Sequence, residues 1–411
     1  MNVPGAVVAM LGARMHYAVP RILHQAGHLQ RLYTDLHFPG TLARAVQRVG
    51  DWVGSEALVR AGTRRSGLPT ALVKTFPMFA WEYSRRLRAA RTDQARMLAY
   101  LWGGQRFCEL VRGTWVDSPT ALYGFNSASL ELLDAGRSAG ARLFVEQTIS
   151  PRLCEIRFLQ EANEAFPGWS DHHFEPCTAD DLYAQRERSE WSLADRVIAG
   201  SEFVREGLVA EGCAPEKICV VPYGVDPAVS ASAAKVASDP PLALFVGRVN
   251  LRKGAPLIEQ AARRLAGTVR FRAVGAVDLP DRARSAISEV VELAGPIPRT
   301  RVWEEYQQAD LFIFPSFCEG SATVVYEALA SGLPVVTTPN AGSVVREGAE
   351  GFVVEAGDLE SFTDRVETLA RNADLRAAMS DAARRRAADF TVDAYAERLL
   401  NALALGSDSR C

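Results

Sequence analysis

The chain is short of the residues that make several chemistries easy to read. Its seven cysteines, at 108, 154, 177, 213, 219, 318 and 411, are odd in number, form no CxxC pair and sit at no zinc spacing. Thiols scattered in this way are expected to be free or buried cysteines of a reducing cytoplasm. All six histidines precede residue 174, so chemistry in the second half must use carboxylates, Lys or Arg, hydroxyls or backbone. Neither strand-like run, AVVAML or LALFVG, leads into GxGxxG, which argues against a nicotinamide-dependent oxidoreductase. No window approaches about 18 uninterrupted apolar residues, so no transmembrane helix is expected. The opening MNVPGAVVAMLGARMHY has no basic segment ahead of a long apolar one, so no signal peptide is expected either. A formal charge of -3 gives no reason to expect a nucleic-acid partner.

What is present is an ordinary globular composition, in 411 residues that exceed one average core and predict two domains. In the second half, short apolar runs alternate with helical patterns: Leu242–Gly247, Val269–Gly275, Val290–Leu293, Asp310–Pro315, Pro334–Thr337 and Gly351–Val354. Strands apolar throughout, with helices between them, predict a parallel sheet covered on both faces. The first half repeats the theme less regularly, with strands expected at Ala6–Leu11, Leu122–Phe125, Leu143–Val145, Arg196–Ala199 and Ile218–Val221. The fold class is therefore α/β, with two Rossmann-like, doubly wound parallel-sheet domains facing each other across a cleft. The expected boundaries are 1–226 for the first domain, 227–241 for a small, polar, Pro-bounded linker and 242–390 for the second domain. A final segment, 391–411, is expected as a helix packing back on the first domain, followed by a soft tail.

Two stretches carry candidate chemistry. In FVGRVNLRKG a strand ends at Gly247, Arg248 follows, and Lys253 precedes a helix, so two cations stand where an anion would sit at the sheet's carboxyl edge. In PSFCEGSATVVYEA, Glu319 belongs to the loop above a strand and Glu327 to the helix that follows. Gly320, Ser321 and Ala322 are small enough to let a ligand approach the N–H groups at that helix's start. Those donors suit phosphate oxygens, Glu327 suits ribose hydroxyls, and Glu319 suits hydroxyls of a group beyond the phosphates. From Arg60 to Arg96 the chain is basic and interleaved with Phe76, Phe79, Trp81 and Tyr83. This reads as a solvated helix face or as a docking surface for an anionic lipid or acceptor.

Together, GRVNLRKG, PSFCEGSATVVYEALASGLPVVTTPNAG and GFVVEAGD resemble the C-terminal domain of GT-B retaining glycosyltransferases of family 4, and Glu319 and Glu327 match that family's E-x7-E motif. ADRVIAGSEFVREGL and VVPYGVD resemble the family's approach to its linker. The resemblance implies transfer of a sugar from a nucleotide-sugar donor, UDP ahead of GDP, with retained anomeric configuration. The acceptor would be a hydroxyl of a saccharide, a lipid-linked saccharide or a small molecule. It assigns Arg248 and Lys253 to the diphosphate, Glu319 to orienting the sugar, Gly320 to Ala322 to lining it, and the N–H groups of Thr323 and Val324 to phosphate. Ile297 would lie near the base, Gly12 and Ala13 would face the diphosphate from the first domain, and His16 would line the cleft. Where many members carry a histidine beside the donor sugar, this chain has Glu146 or Gln147. No DxD motif is present and the Arg/Lys pair makes a metal unnecessary, so neither metal nor cofactor is expected. The enzyme is expected in the cytoplasm, with peripheral contact to the inner membrane face through Arg60–Arg96. Two alternatives share the architecture, an inactive nucleotide-sugar-binding protein and a sugar phosphorylase.

Overall fold

In a computed structural model, described over residues 5–53, 62, 64–115, 119–172, 174–226 and 238–404, two all-parallel sheets form two lobes. The first sheet contains β1 (Ala6–Met10), β2 (Leu29–Thr34), β3 (Val73–Thr75), β4 (Ala121–Phe125), β5 (Arg142–Gln147), β6 (Arg196–Ala199) and β7 (Ile218–Val220), in the order β3-β2-β1-β4-β5-β6-β7. The second contains β8 (Leu242–Val246), β9 (Arg270–Val274), β10 (Glu292–Gly295), β11 (Leu311–Phe314), β12 (Val335–Thr337) and β13 (Gly351–Val353), in the order β10-β9-β8-β11-β12-β13. Both sheets reverse their winding beside their first strand, β1 against β4 and β8 against β11. Doubly wound sheets take ligands in the crevice at that reversal.

The two halves form strands for different reasons. β8 and β11 are buried at every residue and need only be apolar and β-branched or aromatic to persist. β2, LQRLYT, is buried only over its last three residues, and β3, VKT, lies at the sheet edge. Neither was expected, because the polar residues of half-buried β2 and of the edge strand β3 blur the apolar run. Helices Pro77–Ala89 and Asp93–Arg112 bury Phe79, Phe107 and Val111 against the sheet face that carries Val7 and Tyr33. Among the described residues no helix is long and apolar enough to cross a membrane.

The helix Val392–Ala402 lies on the first lobe. Val225 N donates to Phe390 O at 2.8 Å, Tyr395 meets Tyr223 edge-on at 5.8 Å, and Arg398 Nη2 donates to Pro222 O at 3.2 Å. The expected linker is outside the described residues as far as 237, as are the tail 405–411 and Arg60.

The lobes touch through the loop after β11. A Cβ added at Gly320 would run into the carbonyl oxygen of Thr148 in the first lobe, and Ser201 Oγ donates to Gly320 O. Only glycine lets the two backbones approach this closely. Gly320→Ala should lower the melting temperature by several degrees, on the order of 2–3 kcal/mol, with unchanged far-ultraviolet circular dichroism. An unaltered Tm would show that the lobes do not seat at this glycine.

Candidate functional site

Three loops at the carboxyl ends of β8, β11 and β12 build the second-lobe half of the site. After β8, Asn250 caps a short turn by accepting from Lys253 N at 3.2 Å. The chain then reverses at Gly254, where φ is 78° and a side chain would collide with Pro315 O. After β11, the loop is pinned by Phe317 N donating to Arg252 O and Glu319 N to Asn340 O, both at 2.9 Å. Asn340 Nδ2 returns a bond to Phe317 O at 2.8 Å.

This scaffold places Lys253 Nζ 2.6 Å and Arg252 Nη2 2.7 Å from the same oxygen, Glu319 Oε1. Burial alone would raise the Glu319 pKa, but the Lys253 and Arg252 charges outweigh it and hold the carboxyl below its usual range. Burial, together with Arg252 beside it, lowers the Lys253 pKa against the pull of Glu319. The lysine ammonium also stands over the Phe314 ring at 4.9 Å. Arg248 follows Gly247 directly but stays half-exposed, its Nη1 3.4 Å from Asp278 Oδ2, and is therefore available to an incoming anion.

Glu327 is buried one turn into helix Thr323–Ala330. Burial raises its pKa, opposed by Arg299, whose Nη2 lies 2.8 Å from Oε1; Tyr306 OH donates to Oε2 at 3.1 Å. Arg299 also reaches across the cleft, donating from Nη1 to His16 Nε2 at 3.2 Å. Burial, then Arg299 and Arg21, lowers the His16 pKa, which suits an imidazole nitrogen that accepts. His16 sits in an unusual backbone: Met15, His16 and Tyr17 have φ of 45°, 49° and 62°. Left-handed conformations cost a non-glycine residue roughly 1–3 kcal/mol each. They are locked here by Tyr17, which is fully buried and donates from its hydroxyl to Leu36 O at 3.0 Å. A cavity of about 760 Å³ between the lobes brings together Ala13, His16, Arg299, Trp303, Thr323 and Glu327.

Several expected positions therefore converge and others do not. Gly12 is held by its N–H to Asp35 Oδ1 at 3.1 Å and begins the loop that carries Ala13 and His16. The first N–H groups of a helix have no intrahelical acceptor, which leaves those of Thr323 and Val324 aimed out of the helix start. Ile297 is half-buried against the core, two residues before Arg299. Gly320 and Ser321 pack against the first lobe: the Ser321 side chain abuts Gly200 and its Oγ is 3.0 Å from Tyr326 OH. Ala322 is buried beside them.

Glu146 and Gln147 need correcting. Instead of standing at a donor sugar, Glu146 accepts from Tyr123 OH at 2.6 Å and Tyr223 OH at 2.8 Å. Gln147 donates to Glu187 Oε1 at 2.7 Å and accepts from Trp191 Nε1 at 3.1 Å. Both are buried polar groups with hydrogen-bond partners inside the first lobe. Three arginines went unnoticed in the sequence. Arg252 and Arg299 are described above, and Arg14 donates to Thr148 Oγ1 at 3.0 Å. Each lies within two residues of a position that was singled out, which was the available signal.

Residues 230–386 match the family model described as "Glycosyl transferases group 1". The chain is similar to a D-inositol 3-phosphate glycosyltransferase of Xylanimonas cellulosilytica, 29% identical over 245 residues, covering 53% of this chain and 59% of that one. It thus spans about three fifths of the length of the curated relatives it matches. Among solved structures it is similar to Anabaena Alr3699/HepE in complex with UDP, with TM-score 0.62, 15% identity and coverage of 98% and 99% of the two chains. It is also similar to a sucrose-phosphate synthase of Thermosynechococcus elongatus, with TM-score 0.66, 14% identity and 98% coverage of each chain. These two likenesses are of fold.

A carboxyl group whose pKa is lower folded than unfolded contributes stability above the unfolded value, which is lost as pH falls through the folded one. For Glu319 that loss lies below its unperturbed 4.5. Thermal melts from about pH 6 to 3 should therefore show a shallower acid limb in Glu319→Gln than in the parent. Parallel curves would mean that Lys253 and Arg252 do not hold the carboxylate.

Proposed function

We propose that the chain, whose residues 230–386 match the glycosyl transferases group 1 model, is a transferase of that kind, moving a sugar from a nucleoside diphosphate donor to a hydroxyl group with retention at the anomeric carbon. The observation that carries this reading is the pair of cations, Arg248 and Lys253, set with Glu319 at the carboxyl edge of the second sheet, beside its reversal point. A diphosphate entering there takes Arg248 and Lys253 on its oxygens, and Thr323 and Val324 N–H on the phosphate at the helix start. Glu327 accepts from the ribose once Arg299 is displaced, and Ile297 and Arg299 border the base, with uracil the favoured base. Glu319 accepts from a hydroxyl of the transferred sugar.

The bond from the anomeric carbon to the diphosphate oxygen breaks, and its electron pair leaves with the nucleoside diphosphate. The acceptor oxygen bonds to the same face of that carbon, and its proton passes to the departing phosphate oxygen. Arg248 and Lys253 are complementary to the charge that grows on the leaving group, which is where such contacts accelerate a reaction. No metal is needed for that role. The reading extends to a saccharide acceptor, free or lipid-linked, and to a cytoplasmic enzyme that meets an anionic membrane face.

Support for the last point is on the first lobe. Helix Gly40–Val53 exposes Leu42, Val49 and Trp52, the last at 86%, beside Arg44 and Arg48. Helix Pro77–Ala89 exposes Met78, Trp81, Arg85 and Arg88 along one face, while Phe79 turns inward. Apolar side chains flanked by arginines suit an anionic bilayer surface.

Lys253→Ala should cut transfer from UDP-glucose, or whichever UDP- or GDP-sugar the parent uses, by ~10²–10³-fold with Tm nearly unchanged. Parent activity should survive EDTA, and proton NMR should find the donor's anomeric configuration in the product. Normal turnover by the variant would sink the site, inversion the proposed path, and loss of activity in EDTA the metal-free reading. In flotation assays the Trp52→Ala/Trp81→Ala double variant should release the chain from phosphatidylglycerol vesicles. Equal binding to phosphatidylcholine vesicles, or no binding by the parent, would remove the membrane contact.

A further inference from the structure

Charged side chains alternate in sign along a row that runs from the first lobe to Lys253. Arg152 Nε lies 2.8 Å from Asp180 Oδ1, and Arg152 Nη1 lies 2.8 Å from Glu155 Oε2. Arg252 Nη1 lies 3.4 Å from Glu155 Oε1, and its Nη2 lies 2.7 Å from Glu319 Oε1, the oxygen that Lys253 Nζ also meets at 2.6 Å. The links that stay within one lobe are all short. The link that crosses between lobes, from Glu155 to Arg252, is the long one, beyond the roughly 2.7–3.2 Å of an ordinary N–H···O bond.

The first-lobe end of the row is fixed independently of the second lobe. Arg152 and Glu155 share helix Arg152–Ala165, and Asp180 is buried at the start of helix Thr178–Leu193, where its Oδ2 accepts from Cys177 N at 2.9 Å. Glu155 divides its oxygens, Oε2 to Arg152 and Oε1 to Arg252. At the second-lobe end the backbone of Arg252 is pinned, its carbonyl accepting from Phe317 N at 2.9 Å. Its side chain borders a cavity of about 280 Å³ that Arg152, Glu155 and Asp180 also line, so ions rather than close packing orient the guanidinium. Burial opposes the Arg252 charge, and Glu319 and Glu155 together more than restore it. Just past the end of the same first-lobe helix, Phe166 meets Phe317 at 5.8 Å. That apolar contact holds the lobes near each other but, being non-directional, orients no charge.

We propose that Glu155 and Arg252 are positioning residues that make the productive orientation of Glu319 depend on the approach of the two lobes. The inference rests on the transferase reading and deepens it, by naming what holds the sugar-orienting carboxylate once a diphosphate draws Lys253 away. A small further approach of the lobes brings the Glu155 link to ordinary length. The guanidinium is then held at both ends, and Glu319 keeps one orientation with Oε2 left for the sugar hydroxyl. In a more open cleft the same carboxylate is free to turn, and a misplacement of about 1 Å is enough to cost ~10²-fold in rate. The bridge needs an arginine, whose fork of nitrogens meets two acids at once, where a lysine ammonium is a single point charge.

The test is steady-state transfer by the full chain from UDP-glucose, or whichever UDP- or GDP-sugar the parent uses. Rates are expressed per site titrated with the matching nucleoside diphosphate, so that unfolded protein is not counted. Glu155→Gln, which removes the charge and keeps the shape, should lower kcat by ~10–100-fold and leave the donor KM within about threefold of the parent's. Arg252→Lys, which keeps the charge and loses the bridge, should do the same. The double variant should cost no more than the worse single one, since both act on one link. Parental kcat per site in either single variant, even with a lowered Tm, would make the pair structural only and overturn the proposal. Additive losses, or a loss confined to KM, would overturn it as well. Any of these in a parent that turns over refutes this inference alone, whereas a parent that transfers from no UDP- or GDP-sugar refutes the transferase reading beneath it.

Discussion

A single carboxylate oxygen shared by an ammonium and a guanidinium is the interaction on which the rest of the site depends. Glu319 is nearly buried, and a buried carboxylate survives only when it is paired. Two cations are present, yet one would suffice to neutralise it. On the proposed reading the second cation matters when a ligand arrives, because a diphosphate draws Lys253 away while Arg252 keeps the carboxylate paired. Breaking a buried pair outright costs on the order of 3–5 kcal/mol, which would otherwise be charged against donor binding. Arg252 removes that penalty by remaining in place.

The same logic is repeated at Glu327. In the empty cleft its carboxylate is held by Arg299, which is itself shared with His16 from the opposite lobe. On the proposed reading a ribose takes the place of that guanidinium, which is 64% exposed and moves into solvent at little cost. Each glutamate of the E-x7-E pair thus has a cation that pairs it in the empty site. The strained turn at Met15–Tyr17 brings His16 to its place in this arrangement, and the buried Tyr17 absorbs that strain.

How legible this was depended on what each residue had to do. The second sheet could be read because β8 and β11 are apolar at every position, a requirement of burial on both faces. β2, next to the edge, and the edge strand β3 escaped because their partial burial tolerates Gln30, Arg31 and Lys74. Glu319 and Glu327 were singled out as a pair because small residues follow the first and β-branched residues precede the second. The partner arginines were not, because an arginine on a loop reads as solvated until the fold brings an acid to it. Glu146 and Gln147 misled for the opposite reason. A polar pair ending an apolar strand looks like a site residue, and only the facing Tyr123, Tyr223 and Trp191 reveal a satisfied interior network.

Charge is divided between the two lobes. In the second lobe Arg248, Lys253 and a helix start present positive potential, which on the proposed reading meets a leaving diphosphate. In the first lobe, carboxylates outnumber arginines around the cavity beside Arg252. Arg252 sits on the boundary, bonded to an acid from each side, Glu155 in the first lobe and Glu319 in the second. One guanidinium thus ties the lobes together at the loop that carries the candidate diphosphate lysine, and this follows from placing an arginine beside the lysine in the LRKG turn.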